Sequence, residues 1–177
     1  MKSIGLSLLI IISVLKASAQ YKPIDTGSSV QFKIKNFGID VGGSFTGLQG
    51  IINFDENKPA EAIIDVSIDA STVNTNNGLR DDHLKNTTYF DVKNYPLIHF
   101  VSNKIITAEK PGVFLVSGNL TIKNQTKGIS FPFTATAAGN GYVFKGGFMI
   151  NRRDFGVGGL SIISDNLEVL LNVLAKK

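Results

Sequence analysis

Apolar and polar residues alternate along most of the chain, and a period of two is typical of β-strands that bury one face. The first such stretch begins at Ser28, where Val30, Phe32 and Ile34 share a face. The pattern predicts about nine short strands. The further inward sets are Val41, Gly43 and Phe45; Ile52 and Phe54; Ala62, Ile64, Val66 and Ile68; Ile98, Phe100 and Ser102; Phe114, Val116, Gly118, Leu120 and Ile122; Ile129, Phe131 and Phe133; Phe144, Phe148 and Ile150; Leu167, Val169, Leu171 and Val173.

Turn residues separate these stretches, for example Lys110-Pro111-Gly112 and Gly139-Asn140-Gly141. They supply the fixed or positive φ angles that tight turns need. Many short strands joined by tight turns indicate an all-β antiparallel barrel or sandwich. Only residues 77–91 interrupt the alternation, and they predict one or two short helical turns across an end of the sheet.

The inward sets favour a barrel over a sandwich because they are long and rich in phenylalanine, and because closure removes exposed sheet edges. We therefore expect an antiparallel eight-stranded β-barrel, whose interior is filled by side chains or admits one small ligand. Gly43, Gly118 and Gly146 interrupt the bulky inward sets. They either let the strands bend or leave space for an apolar ligand.

The N-terminus has the features of a signal peptide. Residues 4–15 are almost wholly apolar, follow Lys2, and precede Ala17-Ser18-Ala19. The apolar segment is shorter than the ~20 residues that span a bilayer, and small residues at alternate positions mark a cleavage site. We predict a signal peptide at 1–19 and a single domain at 20–177. The mature protein is then periplasmic or secreted, with no transmembrane segment.

Composition and charge exclude several classes of function. Removing 19 of the 177 residues leaves 158, with 16 Lys and Arg against 14 Asp and Glu. A net charge this close to zero, with no long basic run, excludes a nucleic-acid partner. The chain has no cysteine, which excludes a disulfide framework and a lipoprotein anchor.

The two histidines and their neighbours offer little catalytic chemistry. A metal site needs at least three converging ligands, and none are indicated, so we expect neither a metal nor a cofactor. His99 falls on the outward face of its strand. His83 lies in a charged turn with Arg80 and Asp81, where a carboxylate could orient it as a general base. Without a nucleophile motif, we favour a structural turn held by charged hydrogen bonds.

A second charged cluster, Arg152-Arg153-Asp154, follows a predicted strand. Arginine presents a planar fork to oxyanions, so the cluster could hold a phosphate. It could equally form an Arg–Asp clamp at the barrel rim. For Asp154 we favour the structural role in such a clamp. For the two arginines, phosphate binding and the clamp both stay open.

The order and spacing of several motifs resemble the YceI-like family, the lipid- and polyisoprenoid-binding domain of bacterial periplasms. The resemblance covers nearly all of residues 21–175, and its most specific parts are Arg80-Asp81-Asp82-His83-Leu84, Tyr89-Phe90-Asp91 and Ile150-Asn151-Arg152-x-Asp154-Phe155-Gly156. It implies an extended lipocalin-like barrel whose apolar bore holds a long isoprenoid chain, with no established enzymatic activity. Ser28 and Asn36 stand where the family often has histidine.

We therefore expect a non-enzymatic periplasmic carrier that buries the tail of a polyisoprenoid or other long-tailed amphiphile. Two alternatives remain: a protein-interaction barrel of the cell envelope without a ligand, and an enzyme using the Arg80–His83 turn. A homodimer is left open. Arg80 and Arg152 are expected at the rim, near the head group. The expected lining of the bore is Val30, Phe32, Ile34, Phe45, Ile64, Val66, Phe100, Phe114, Val116, Phe131, Phe148 and Ile150.

Overall fold

The computed structural model describes residues 19–160 and 162–177. This part of the chain forms ten antiparallel β-strands, one α-helix and four short 3₁₀ turns. The strands are β1 (Gln20–Pro23), β2 (Ser29–Asn36), β3 (Ile39–Phe45), β4 (Gln49–Asn53), β5 (Ile63–Asp69), β6 (Leu97–Thr107), β7 (Val113–Ile122), β8 (Gln125–Ala138), β9 (Gly141–Asn151) and β10 (Ile163–Lys176). Helix α1 is Gly78–Leu84, and the 3₁₀ turns are Asp25–Gly27, Pro59–Glu61, Ala70–Thr72 and Arg152–Phe155.

The ten strands make a closed eight-stranded barrel because two of them are interrupted. β10 pairs with β2 over most of its length and with β1 at its C-terminal end. β1 also pairs with β4, and β2 with β3. Thus β1 and β2 form one interrupted strand, β3 and β4 form another, and β5 to β10 complete the ring. This architecture confirms the predicted antiparallel eight-stranded barrel.

One end of the barrel, here called the aromatic end, is filled by rings. Phe54 is almost completely buried there and meets Phe114, Tyr142 and Phe144 edge-on, with ring centroids 5.1–5.3 Å apart. Edge-to-face contacts of this kind stabilise a core beyond the burial of apolar area. The aromatic end is therefore packed with side chains.

The opposite end, here called the helical end, carries α1, the β2–β3 hairpin and the β9–β10 loop. Along its length β3 pairs with β2 alone among the described strands. Its other edge meets residues 70–78 through two backbone hydrogen bonds between Ser44 and Asn74, each 2.9 Å. The Thr72 hydroxyl donates to the Thr46 carbonyl at 2.9 Å. The segment before α1 therefore closes the wall that β5 leaves open beside β3.

Two of the inward glycines lie beneath aromatic rings. A β-carbon on Gly118 would lie 2.6 Å from Cζ of Phe100, and one on Gly43 would lie 2.6 Å from Cε1 of Phe32. The space beside these glycines is used by the protein's own side chains. The interpretation that they leave room for a ligand is therefore wrong at these two positions.

Candidate functional site

Between the two ends the barrel encloses a cavity of about 270 Å³. Its walls come from inward side chains of most strands and from residues of the α1 segment, and they are almost wholly apolar. Along β9 the cavity extends from Phe144 to Ile150, roughly 20 Å of strand at ~3.3 Å per residue. Water would find few hydrogen-bond partners in such a space, whereas apolar molecules bind there readily.

Eleven of the twelve residues expected to line the bore do line this cavity. The exception is Phe114, which lies at the aromatic end and packs against Phe54 and Phe133 at 5.1 and 5.5 Å. Nine of the eleven are only partly buried although they point inward, because they face a hollow. The nine are Val30, Phe32, Ile34, Phe45, Ile64, Val66, Phe100, Phe148 and Ile150, and the two fully buried lining residues are Val116 and Phe131.

The expected set omitted a large part of the wall. Strand β10 contributes five inward side chains. Their alternation is visible in the sequence, but the expected lining does not include them. Leu84, Tyr89 and Phe90 also face the cavity, and Phe90 meets Phe45 edge-on at 5.4 Å. These three lie outside the sheet, where no alternation identifies an inward face. The β10 residues are Ile163, Leu167, Val169, Leu171 and Val173.

Arg80 and Asp81 bind the start of α1 to Thr75. Arg80 donates from Nε to the Thr75 hydroxyl at 2.7 Å and from Nη2 to the Thr75 carbonyl at 2.8 Å. The hydroxyl and backbone N–H of Thr75 donate to Oδ1 of Asp81 at 2.5 and 2.8 Å. The hydroxyl hydrogen bond is the main cause that lowers the pKa of Asp81, against partial desolvation. Charged hydrogen bonds of this kind are what we expect of a turn with a structural role.

A polar groove of about 520 Å³ runs along the free side of β3. It shares Phe32, Val41, Thr75 and Arg80 with the cavity wall, so the two spaces adjoin. Lys33 and Asp40 also line the groove. The groove thus contains the cations Lys33 and Arg80 and the carboxylate of Asp40, which pairs with Lys35 at 3.0 Å, while the carboxylate of Asp81 lies beside Arg80.

Arg152 holds the β9–β10 loop. It is 5% exposed and donates to the carbonyls of Ser164 and Val157 at 3.0 and 2.7 Å and to Asp165 Oδ1 at 3.0 Å. Arg153 also donates to Asp165, at 2.5 Å. The carboxylate of the predicted clamp is therefore Asp165, and the structural use expected of Asp154 in this clamp is wrong. Asp154 lies in the 3₁₀ turn Arg152–Phe155 and is exposed.

One buried polar atom of a residue in the cavity wall lacks a hydrogen-bond partner within the described part of the chain. Oδ1 of Asn36 is buried and has no hydrogen-bond partner among the described residues. Asn36 lines the cavity at the helical end. An unpaired buried acceptor costs free energy in the empty protein. A bound molecule whose O–H or N–H group reached this atom would gain a hydrogen bond.

Both histidines lie away from the cavity wall. Nε2 of His99 lies 2.8 Å from Oδ1 of Asp65 on the outer face, in agreement with its predicted orientation. His83 packs against Tyr89 with ring centroids 5.0 Å apart and contacts Asn86 at 3.3 Å. Within residues 19–160 and 162–177, no three His, Asp or Glu side chains are grouped to hold a metal ion. The same residues contain no helix with the length and hydropathy to cross a membrane.

A closed eight-stranded antiparallel barrel with an apolar cavity defines a lipocalin-like binding barrel. The chain matches the model of the YceI-like domain over residues 21–175. It belongs to the YceI-like family.

Curated relatives and solved structures agree with this assignment. A UPF0312 protein of Yersinia enterocolitica is 31% identical, covering 88% of this chain and 85% of its own length. The crystal structure of Burkholderia cenocepacia BcnA superposes with a TM-score of 0.82 at 26% identity, covering 87% of this chain and 99% of that one. A polyisoprenoid-binding domain from Saccharophagus degradans shares the fold, with a TM-score of 0.72 at 16% identity over 88% of this chain and 97% of its own.

Proposed function

We propose that this protein binds and carries an amphiphile by enclosing its long apolar tail in the barrel cavity, without catalysing a reaction. The observation that carries the proposal is the cavity, whose walls are apolar over roughly 20 Å of strand. Each methylene removed from water contributes ~0.8 kcal/mol, so a long tail binds tightly with few polar contacts. The hollow interior also argues against a barrel that acts only through its outer surface.

A polyisoprenoid is the tail class that we favour. The family resemblance implies it, and the Saccharophagus degradans neighbour is described as a polyisoprenoid-binding domain. The predicted signal peptide lies outside the described residues except for Ala19. Its sequence supports export to the periplasm, where the mature domain from residue 20 onward would meet envelope lipids.

The head group would lie in the polar groove beside Arg80. This arginine lines both the groove and the cavity, so a tail in the cavity places its polar end within reach of Arg80 and Lys33. Arg152 is a weaker candidate because it lines the cavity but not the groove, and it is 5% exposed.

Native mass spectrometry and lipid extraction of the mature protein, purified from a bacterial periplasm, test the proposal. We expect a bound species with a long apolar chain. Leu167→Phe should lower the amount bound, because the ladder partners of Leu167 are Ile34 and Ile150 and the new ring would occupy the cavity. Thr136→Phe, on the exposed face of β8, is the matched control and should retain the lipid. Protein that is always free of lipid and rejects a fluorescent long-chain alcohol contradicts the proposal.

A further inference from the structure

Four of the large apolar side chains that project into solvent at the helical end lie in two neighbouring segments. Phe37 and Ile39, at the β2–β3 turn, are 74% and 70% exposed, and Leu160 and Ile162, before β10, are 94% and 69% exposed. Asn36 pairs with Ile163, so the hairpin turn and the loop leave the barrel next to each other. We call these four residues the apolar tip. Clustered exposed side chains of this size mark an interaction surface.

The backbone at the tip shows that Phe37 is not there for the stability of the fold. Phe37 and Gly38 form the two-residue turn, with φ angles of 50° and 79°. A turn with two positive φ angles favours Asn-Gly, and a bulky residue in this conformation is unusual. Phe37 is therefore costly in the turn and contributes little to the core. Such a combination is typical of a residue retained for an interaction.

The tip adjoins both spaces proposed for the ligand. Asn36 and Ile163 line the cavity, and each is the chain neighbour of a tip residue. Asp40, the neighbour of Ile39, lines the polar groove. A surface that binds the tip would therefore lie against the place where the groove and the cavity approach solvent.

The charge distribution favours an anionic surface. The segments at the helical end carry nine Lys and Arg against six Asp and Glu, whereas the rest of the chain from residue 20 carries seven against eight. Apolar groups flanked by excess positive charge are the features with which proteins attach to anionic bilayers. The segments counted are residues 31–42, 78–95, 121–128 and 149–166.

We propose that the apolar tip docks this protein on an anionic lipid bilayer, with Phe37, Leu160 and Ile162 inserted at the boundary between head groups and acyl chains. Docking would hold the groove beside β3 against the membrane, where an amphiphile can pass between bilayer and cavity. Docking goes beyond the proposed function. It rests on that function only for the identity of the molecule that is transferred. Binding to the bilayer itself is measured on the protein without added cargo.

Phe37→Asn provides a test in which stability and binding move in opposite directions. The variant restores the favoured Asn-Gly turn, so its melting temperature should rise. Its partition onto vesicles of phosphatidylethanolamine and phosphatidylglycerol should fall about tenfold, since one buried phenylalanine is lost. Leu160→Ser should also weaken binding. Ile63→Thr, which removes a 48% exposed side chain at the aromatic end, is the matched control and should bind as the wild type does.

Three results would overturn the docking proposal. The first is wild-type protein that does not bind these vesicles, and the second is Phe37→Asn protein that binds them equally well. The third is a dimer in analytical ultracentrifugation that Phe37→Asn dissociates, without vesicle binding, because a second copy would then cover the tip. Uptake of a fluorescent long-chain alcohol from detergent is measured in parallel. Vesicle binding without uptake would leave docking intact and contradict the carrier function.

Discussion

The ring of Phe100 lies directly over Gly118, so that Cζ would be 2.6 Å from a β-carbon at that position. The carbonyl oxygen of Val101 approaches the same point. A side chain at position 118 would thus displace a ring or the neighbouring backbone.

Gly118→Ala should therefore lower the free energy of unfolding by about 1 to 3 kcal/mol, the usual cost of overpacking a core. Chemical denaturation measures this change. Gly128→Ala is the control, because a β-carbon there meets no atom within 4 Å. Equal stability of the two variants would show that the contact with Phe100 has no energetic weight.

Asn36→Leu should stabilise the protein without cargo and weaken one class of cargo. Removing a buried acceptor that has no partner should raise the free energy of unfolding by about 1 kcal/mol. Binding of a long-chain alcohol should weaken, whereas binding of an alkane of equal length should not. Displacement of a fluorescent fatty probe measures both affinities. A parallel loss for alcohol and alkane would assign the effect to cavity shape.

Asp165→Ala should destabilise the β9–β10 loop because Arg152, 5% exposed, loses its carboxylate partner. We expect a loss of about 1 to 3 kcal/mol in the free energy of unfolding, in urea titrations. Asp154→Ala removes an exposed carboxylate from the same segment and should change stability by less than about 0.5 kcal/mol. A larger effect at Asp154 would contradict the assignment of the clamp to Asp165.

The Thr75–Asp81 hydrogen bonds predict that the stability of the fold depends on pH in the acidic range. Because the pKa of Asp81 is lowered in the fold, its contribution is complete above the unfolded pKa of ~3.9 and disappears as the pH falls through the lower folded value. Asp81→Asn should thus be less stable than the wild type near neutral pH, with a difference that shrinks below about pH 4. Melting temperatures across this range test it. Asp82→Asn, at an 80% exposed side chain of the same helix, is the matched control for loss of a carboxylate.

The alternation of residues was enough to predict the inward faces, because a strand that buries one face repeats every two residues. Thus Val30, Phe32 and Ile34 line the cavity as expected. Contacts between distant segments were not predictable from one sequence. The carboxylate that Arg152 contacts belongs to Asp165, 13 residues away, although Asp154 is nearer in the sequence. The pairing of rings with glycines likewise depends on the register between strands, which alternation does not determine.

Strand β3 pairs with β2 alone among the described strands, so its other side is a weakly held part of the barrel wall. Separating β7 from β8 would break a ladder of ten residue pairs, whereas the free side of β3 is joined to Asn74 by the two backbone hydrogen bonds of Ser44. The wall is therefore held by fewer hydrogen bonds at this side of β3 than between β7 and β8. In the carrier that we propose, a chain in the cavity would leave sideways along this side of β3 in preference to end-on past the rings around Phe54.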